Sequence, residues 1–259
     1  MKIKVLGCSG SELPDFHPPA FLIDEGILLD AGTVTAALDE DSQSGITHIF
    51  ITHPHLDHIR SIPSLADNML VKNWKHKIVI IGIKEVLKSL KENLLNNSIW
   101  PDFTAIPNSK EPVLRLKVIE TGKRYNINGY SIIAEKVKHS VPAVGYIIKD
   151  SKGKSLLYTG DTGPSSDLWK RVNSEMKNTA IDGAIIEVTF PNRMKELAIK
   201  TGHLTPALFS DELKKLKQLP KKIFITHPKP QFSKIIIPEL RSLKIKQITM
   251  LKEGKTYNI

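Results

Sequence analysis

Residues 50–59 read FITHPHLDHI, which places His53, His55, Asp57 and His58 within six positions directly behind an apolar run. Chance rarely assembles these residue types so densely, and imidazole with carboxylate is a donor set for a divalent cation. Alternate side chains of a loop can turn toward one point, so His53 and His55 can grip one ion while Asp57 and His58 reach a neighbouring one. Nitrogen and oxygen donors suit Zn²⁺, Mn²⁺ or Fe, and the lack of thiolate argues against a closed structural zinc site. A catalytic centre needs further donors, and the chain offers His139 in VKHSVP, Asp161 in LLYTGDTG and His227 in FITHPKP. Each follows a predicted strand, and strand ends on one edge of a sheet are where α/β proteins assemble sites. Gly160 and Gly163 flank Asp161 and let the backbone approach a ligand closely, so its carboxylate could bridge two ions. His17, His48 and His76 stand alone and read as surface or hydrogen-bonded core residues.

The elements that must position these donors are visible in the hydropathy pattern. KIKVLG, AFLID, GILLD, ITHIFIT and KIVIIG are short, rich in Ile, Leu and Val, and punctuated by Gly or Asp, as buried strands are. Further strands are predicted at 113–119, 130–137, 144–149, 155–158, 183–188 and 223–226. Residues 83–97 carry apolar side chains at 83, 86, 87, 90, 94 and 95, an amphipathic helical spacing. Other helices are expected at 33–40, 165–177, 205–216 and 235–243, with Thr205 as N-cap and Pro206 in the first turn of the third. Strands early and late, with helices between and after them, predict an α/β protein of two sheets sandwiched between helical layers.

Composition narrows the class further. The 259 residues are 41% hydrophobic, enough to bury a large core, and no linker-like stretch divides them, so one domain over 1–259 is expected. No apolar stretch reaches the length of a membrane span, and the first residues read as a strand and not a signal peptide; a cytoplasmic protein is the expectation. The single cysteine, Cys8, excludes an internal disulfide and reads as an inert, half-buried thiol. The formal charge of +10 is permissive of a phosphate-bearing substrate. Only six of the 37 basic residues are arginine, and dispersed lysine marks a solvated surface more than a bidentate phosphate site.

The ordered series LLDAG at 28–32, THPHLDH at 52–58, His139, Asp161 and His227 resembles the metallo-β-lactamase superfamily over nearly the whole chain. The resemblance implies a four-layer αββα sandwich and two divalent cations, with His53, His55 and His139 on one, Asp57, His58 and His227 on the other, and Asp161 between them. Within that superfamily, NNSIWPDF at 96–103, YTGDTGP at 158–164, IEVTFPN at 186–192 and TGHLTP at 201–206 resemble the class II cyclic-nucleotide phosphodiesterases. One departure is HIRSIP at 58–63, where Arg60 and Ser61 stand where a glycine is usual.

The resemblance implies hydrolysis of a 3′,5′-cyclic nucleotide, cAMP or cGMP, to the 5′-monophosphate. A water activated by the two ions would attack phosphorus, and Asp57 would be indispensable. His203, oriented by Glu187, is the expected general acid toward the leaving oxygen. Asp30 would orient a ligand histidine or serve as a turn residue. Asn97 and Trp100 would form the base pocket, with Trp100 stacked on a purine or simply packed beneath its loop. The partner is then a small nucleotide, with no membrane and no nucleic acid required, and a homodimer would be compatible. Rival readings are a tRNA 3′-processing endonuclease, a lactam or thioester hydrolase of the same superfamily, and a non-catalytic binding module.

Overall fold

Parallel strands buried on both faces are near-continuous apolar runs, and IFI, IVIIG, SLLY and GAIIE are such runs, with Glu187 only at the last position of GAIIE. In the computed structural model, which describes residues 1–177 and 179–259, they form the centres of two seven-stranded sheets. The first contains β1 (Lys2–Gly7), β2 (Ala20–Ile23), β3 (Ile27–Leu29), β4 (His48–Phe50), β5 (Ile78–Gly82) and β6 (Leu114–Val118), with β14 (Thr256–Asn258) outside β1. The second contains β7 (Arg124–Ile127), β8 (Tyr130–Lys136), β9 (Val144–Lys149), β10 (Ser155–Tyr158), β11 (Gly183–Glu187), β12 (Lys222–Thr226) and β13 (Ile248–Met250), in that spatial order. Each sheet is half antiparallel and half parallel. The parallel halves, β3 to β6 and β10 to β13, send their C-terminal ends to one edge.

Eight α-helices occur among the described residues, α1 (Glu40–Ser44), α2 (Leu56–Ile59), α3 (Ile62–Val71), α4 (Lys84–Asn93), α5 (Asp167–Met176), α6 (Lys195–Thr201), α7 (Pro206–Leu213) and α8 (Ser233–Ser242), with short 3-10 turns at Asn192–Met194 and Pro230–Phe232. One apolar cluster fills the space between the sheets and extends to the buried faces of α3 and α4, and a second joins the second sheet to α5, α7 and α8. The sheets are tied together close to the end of β4. The Tyr146 hydroxyl donates to Ile51 O at 2.7 Å, and the rings of Phe50 and Tyr146 meet edge-on at 5.5 Å. No helix among the described residues is long and apolar enough to cross a membrane.

Most predicted elements form, and the differences have local causes. Residues 33–38 are turns, and the helix begins only at Glu40, where Asp39 accepts from Ser42 N–H at 2.8 Å and caps it. α7 starts as expected, with Thr205 accepting from Leu208 N–H and Pro206 in the first turn. β7 was missed although Asn128-Gly129, both at positive φ, marks the tight hairpin to β8. α3 was missed although Ile62, Leu65, Ala66 and Met69 share one buried face.

Candidate metal centre

The predicted donors converge where the parallel strands end. β4 delivers His53, and the short helix α2 that follows presents Asp57 and His58 from one turn. β8 and β10 lead into His139 and Asp161, and β12 leads into His227. Two backbone positions permit the close approach. A Cβ on Gly160 would lie 2.8 Å from the Thr52 side chain, and one on Gly202 would lie 2.7 Å from His139 Cα; both have positive φ. His227 itself sits at φ 65° and Asp30 at φ 55°, conformations that non-glycine residues hold only where the surroundings enforce them.

Two groups of donor atoms result, each with its atoms within 4.8 Å of one another: His53, His55 and His139, and Asp57, His58, Asp161 and His227. In the first, His55 Nδ1 is 3.1 Å from both His53 Nε2 and His139 Nε2. In the second, Asp161 Oδ2 lies 3.4 Å from His58 Nε2 and 3.3 Å from His227 Nε2, and Asp57 Oδ2 lies 3.4 Å from His227 Nε2. The same Asp161 oxygen is 3.7 Å from His53 Nε2, so it faces both groups. Tetrahedral ligands at about 2.1 Å from a zinc ion stand roughly 3.4 Å apart, which is the spacing found here. His58 Nε2 is fully buried and makes no hydrogen bond, as a nitrogen aimed at a cation would be. The residues therefore fit a pair of divalent ions.

Partners behind the donors fix which nitrogen faces inward. His58 Nδ1 meets Asp30 Oδ2 at 2.7 Å, and His139 Nδ1 meets Gly202 O at 2.9 Å. Asp30 is a buried hub: it also accepts from the Tyr158 hydroxyl at 2.6 Å, and from Thr52 through N–H at 2.8 Å and Oγ1 at 2.9 Å. His227 Nδ1 meets Thr189 Oγ1 at 2.8 Å, and that hydroxyl donates to Glu187 Oε2 at 2.6 Å. Thr189 was not singled out in the sequence, although it lies two residues beyond Glu187 in IEVTF. Glu187, buried at the end of β11, meets His203 Nδ1 at 2.8 Å. His203 in turn stacks on His227 at 5.4 Å between ring centroids. His203 also joins two further donor groupings, with His139 and Asp161 and with Glu187 and His227, so it borders the centre directly.

The electrostatics are those of a buried cage of opposed charges. Burial, aided by His58, pushes His53 well below the usual histidine range. Burial also opposes charge on His58, but Asp161 and Asp30 outweigh it and hold that imidazole well above its ordinary value. Burial would raise Asp161, yet His227 and His58 hold it well below the carboxylate range. A cation bound among these carboxylates would take the place of a proton on His58. For His203, burial works against protonation, and Glu187 reverses the balance and raises it to about 9.

Arg60 and Ser61 do not disturb this loop. Both donate to Gly32 O, from Nε at 2.8 Å and Oγ at 3.2 Å, and Arg60 also pairs with Glu12. The isolated histidines have ordinary partners: His17 meets Glu253, His48 meets Thr47 Oγ1, and His76 meets Ile46 O. The segment carrying Asn97 and Trp100 lies elsewhere. Asp102 pairs with Lys91 in the last turn of α4, and Phe103 O accepts from Leu114 N–H, opposite Ile78 at the start of β5. The donors gather beyond the other end of these strands, so the structure does not bring Asn97 and Trp100 to the centre. Trp100 is partly exposed at the tip of a turn that Asn97 closes by accepting from Asp102 N–H.

Two mixed sheets sandwiched between helices, with a His/Asp centre at the edge where their parallel strands end, define the metallo-β-lactamase fold. A crystal structure of unliganded yeast PDE1 shares it, with a TM-score of 0.84 and 20% identity over 98% of each chain. The family of class-II cAMP phosphodiesterases matches residues 35–247, and the chain belongs to that family. A probable 3′,5′-cyclic-nucleotide phosphodiesterase of Yersinia pestis is 25% identical over 224 residues, 77% of this chain. The chain spans 63% of that relative's length. A ribonuclease Z of Pyrococcus abyssi is 30% identical over 220 residues, covering 80% of this chain and 68% of that protein.

Proposed function

We propose that residues 1–259 form one hydrolase domain, a phosphodiesterase that opens 3′,5′-cyclic nucleotides, cAMP or cGMP, to 5′-nucleoside monophosphates in the cytoplasm. The observation that carries this reading is the convergence of seven donors in two groups, in a chain of the class-II cAMP phosphodiesterase family. His53, His55 and His139 would hold one divalent ion, Asp57, His58 and His227 the second, and Asp161 both. Two such ions, Zn²⁺ before Mn²⁺ or Fe for this donor set, would supply an activated water and neutralise charge on the phosphoryl oxygens.

The protein's own contribution is positional. Glu187 keeps the His203 Nδ1–H directed at itself, which leaves Nε2–H free to face the substrate. Cleavage of the P–O3′ bond leaves an alkoxide, and His203 Nε2 donates the proton that makes it the 3′-hydroxyl. Asp30, Gly202 O and Thr189 hold the ligand imidazoles in one tautomer, so that donor geometry is set before substrate arrives.

The 30% identity to a ribonuclease Z favours a second reading, tRNA 3′ processing at the same centre. The test is a metal-quantified assay of the purified protein on 3′,5′-cAMP, 3′,5′-cGMP, 2′,3′-cAMP, a generic aryl phosphodiester and precursor tRNA. Turnover of the 3′,5′-cyclic substrates is expected. Cleavage of precursor tRNA with a steep loss on added salt would favour the second reading, because phosphate contacts are salt-dependent. Hydrolysis of the aryl diester alone would refute both.

A further inference from the structure

On the flank of the second sheet, a groove of about 640 Å³ opens between the C-terminal part of α8 and β13. β13 is an edge strand, and among the described residues it pairs with β12 on one side only. Its floor includes Ile248 and Met250, which share one face of β13 and pack on the apolar cluster beneath α8. Its rim carries Arg241, Lys244, Lys246 and Lys252. No carboxylate and no aromatic ring lines it. None of the four cations has a side-chain hydrogen bond or ion pair among the described residues. The carboxylates nearest in sequence are engaged elsewhere, Glu239 with Asn192 N–H and Glu253 with His17.

We infer that this groove is a docking site for a peptide segment of another protein, with one or two apolar side chains seated over Ile248 and Met250 and flanking aspartates or glutamates on the four cations. Charge complementarity selects this occupant. A second copy of the chain placed on the groove by a two-fold axis would set the four cations against themselves. A single-stranded nucleic acid would find the cations but no aromatic platform on which to stack its bases, and it would leave the apolar floor in water. An acidic peptide satisfies both halves of the surface at once: its apolar anchor covers the floor, and its carboxylates neutralise the rim. The volume lies within the range of about 300–1,000 Å³ typical of ligand pockets, enough for such an anchor. The open edge of β13 offers the backbone of the peptide an additional partner.

The test is display of randomised dodecapeptides on the full-length protein, with counter-selection on the Lys244→Glu/Lys246→Glu variant, whose exposed positions leave the fold untouched. Enriched peptides are expected to combine Asp or Glu with a large apolar residue. Their affinity should fall by roughly tenfold or more in the charge-reversed variant and also in Ile248→Thr, while cyclic-nucleotide turnover stays unchanged in both. Failure to enrich acidic apolar peptides, or equal binding to wild type and both variants, overturns the proposal. So does tighter binding of mixed-sequence single-stranded RNA that the same reversal abolishes, or a solution dimer that the reversal dissociates.

Discussion

Asp30 is the position from which the donor geometry is most sensitively controlled, and Asp30→Asn tests this with almost no change of shape. The native carboxylate only accepts: Oδ2 takes His58 Nδ1–H, the Tyr158 hydroxyl and the Thr52 hydroxyl, and Oδ1 takes Thr52 N–H. An amide must turn its NH₂ toward one of those sides, where it meets either His58 Nδ1–H or the Thr52 backbone N–H. Every group involved is buried, so at least one donor loses its partner, at a cost of about 1–3 kcal/mol. If the amide opposes His58, the imidazole gains freedom to rotate or to change tautomer, and its Nε2 no longer points permanently at Asp161. Loss of such an outer partner weakens metal binding by roughly 10–100-fold. Calorimetric titration of metal-free protein with Zn²⁺ or Mn²⁺, paired with thermal unfolding without metal, reads the two effects separately. An affinity for the second ion within about twofold of wild type, in a variant that is destabilised as expected, would refute the assignment of Asp30 as the group that orients His58.

Other outcomes follow from the same geometry. In metal-free protein, His203 should titrate by NMR near pH 9, and Glu187→Gln should bring it down, because burial then acts without its carboxylate partner. Its folded value lies above the ordinary 6.5, so the His203–Glu187 pair should stabilise the protein fully below pH 6.5 and lose that contribution as pH rises through 9. Thr189→Val removes the oxygen that meets His227 Nδ1 and the donor to Glu187; a loss of about 1–3 kcal/mol and weaker metal binding are expected, with Thr189→Ser restoring both. Burial, reinforced by Glu253, pushes the Cys8 thiol up to about 12, so iodoacetamide at pH 8 should label it only on unfolding. Trp100→Ala should leave KM within about twofold of wild type, since Trp100 lies beyond the opposite end of β5; a large rise in KM would place the 96–103 segment at the substrate.

Several features were legible in the residues alone because they depend on local pattern. Continuous apolar runs specify buried parallel strands wherever they occur, and the Thr205-Pro206 pair fixes a helix start through its own hydrogen bonding. The HxHxDH spacing, with a further His, Asp and His after later strands, sufficed to nominate all seven donors, because strand ends are where such groups collect. Asp30 was also readable, in LLDAG at the end of a strand, whereas Glu187 and His203 were nominated by the resemblance that IEVTFPN and TGHLTP carry.

What remained hidden depended on contacts between distant segments. Which nitrogen of each histidine faces the centre is decided by Asp30, Gly202 O and Thr189, partners brought from other strands and loops. Thr189 looks like any strand-end threonine until β11 and β12 lie side by side and place its hydroxyl between Glu187 and His227. The 96–103 segment shows the limit most clearly: its residues suggested a base pocket, but the return of the chain along α4 carries it to the far end of the sheet. Spacing determines which donors exist, because a loop following a strand exposes them regardless of context. Only the pairing of strands remote in sequence decides their distances, their tautomers and their neighbours, because those are properties of the packed sheets and of no single segment.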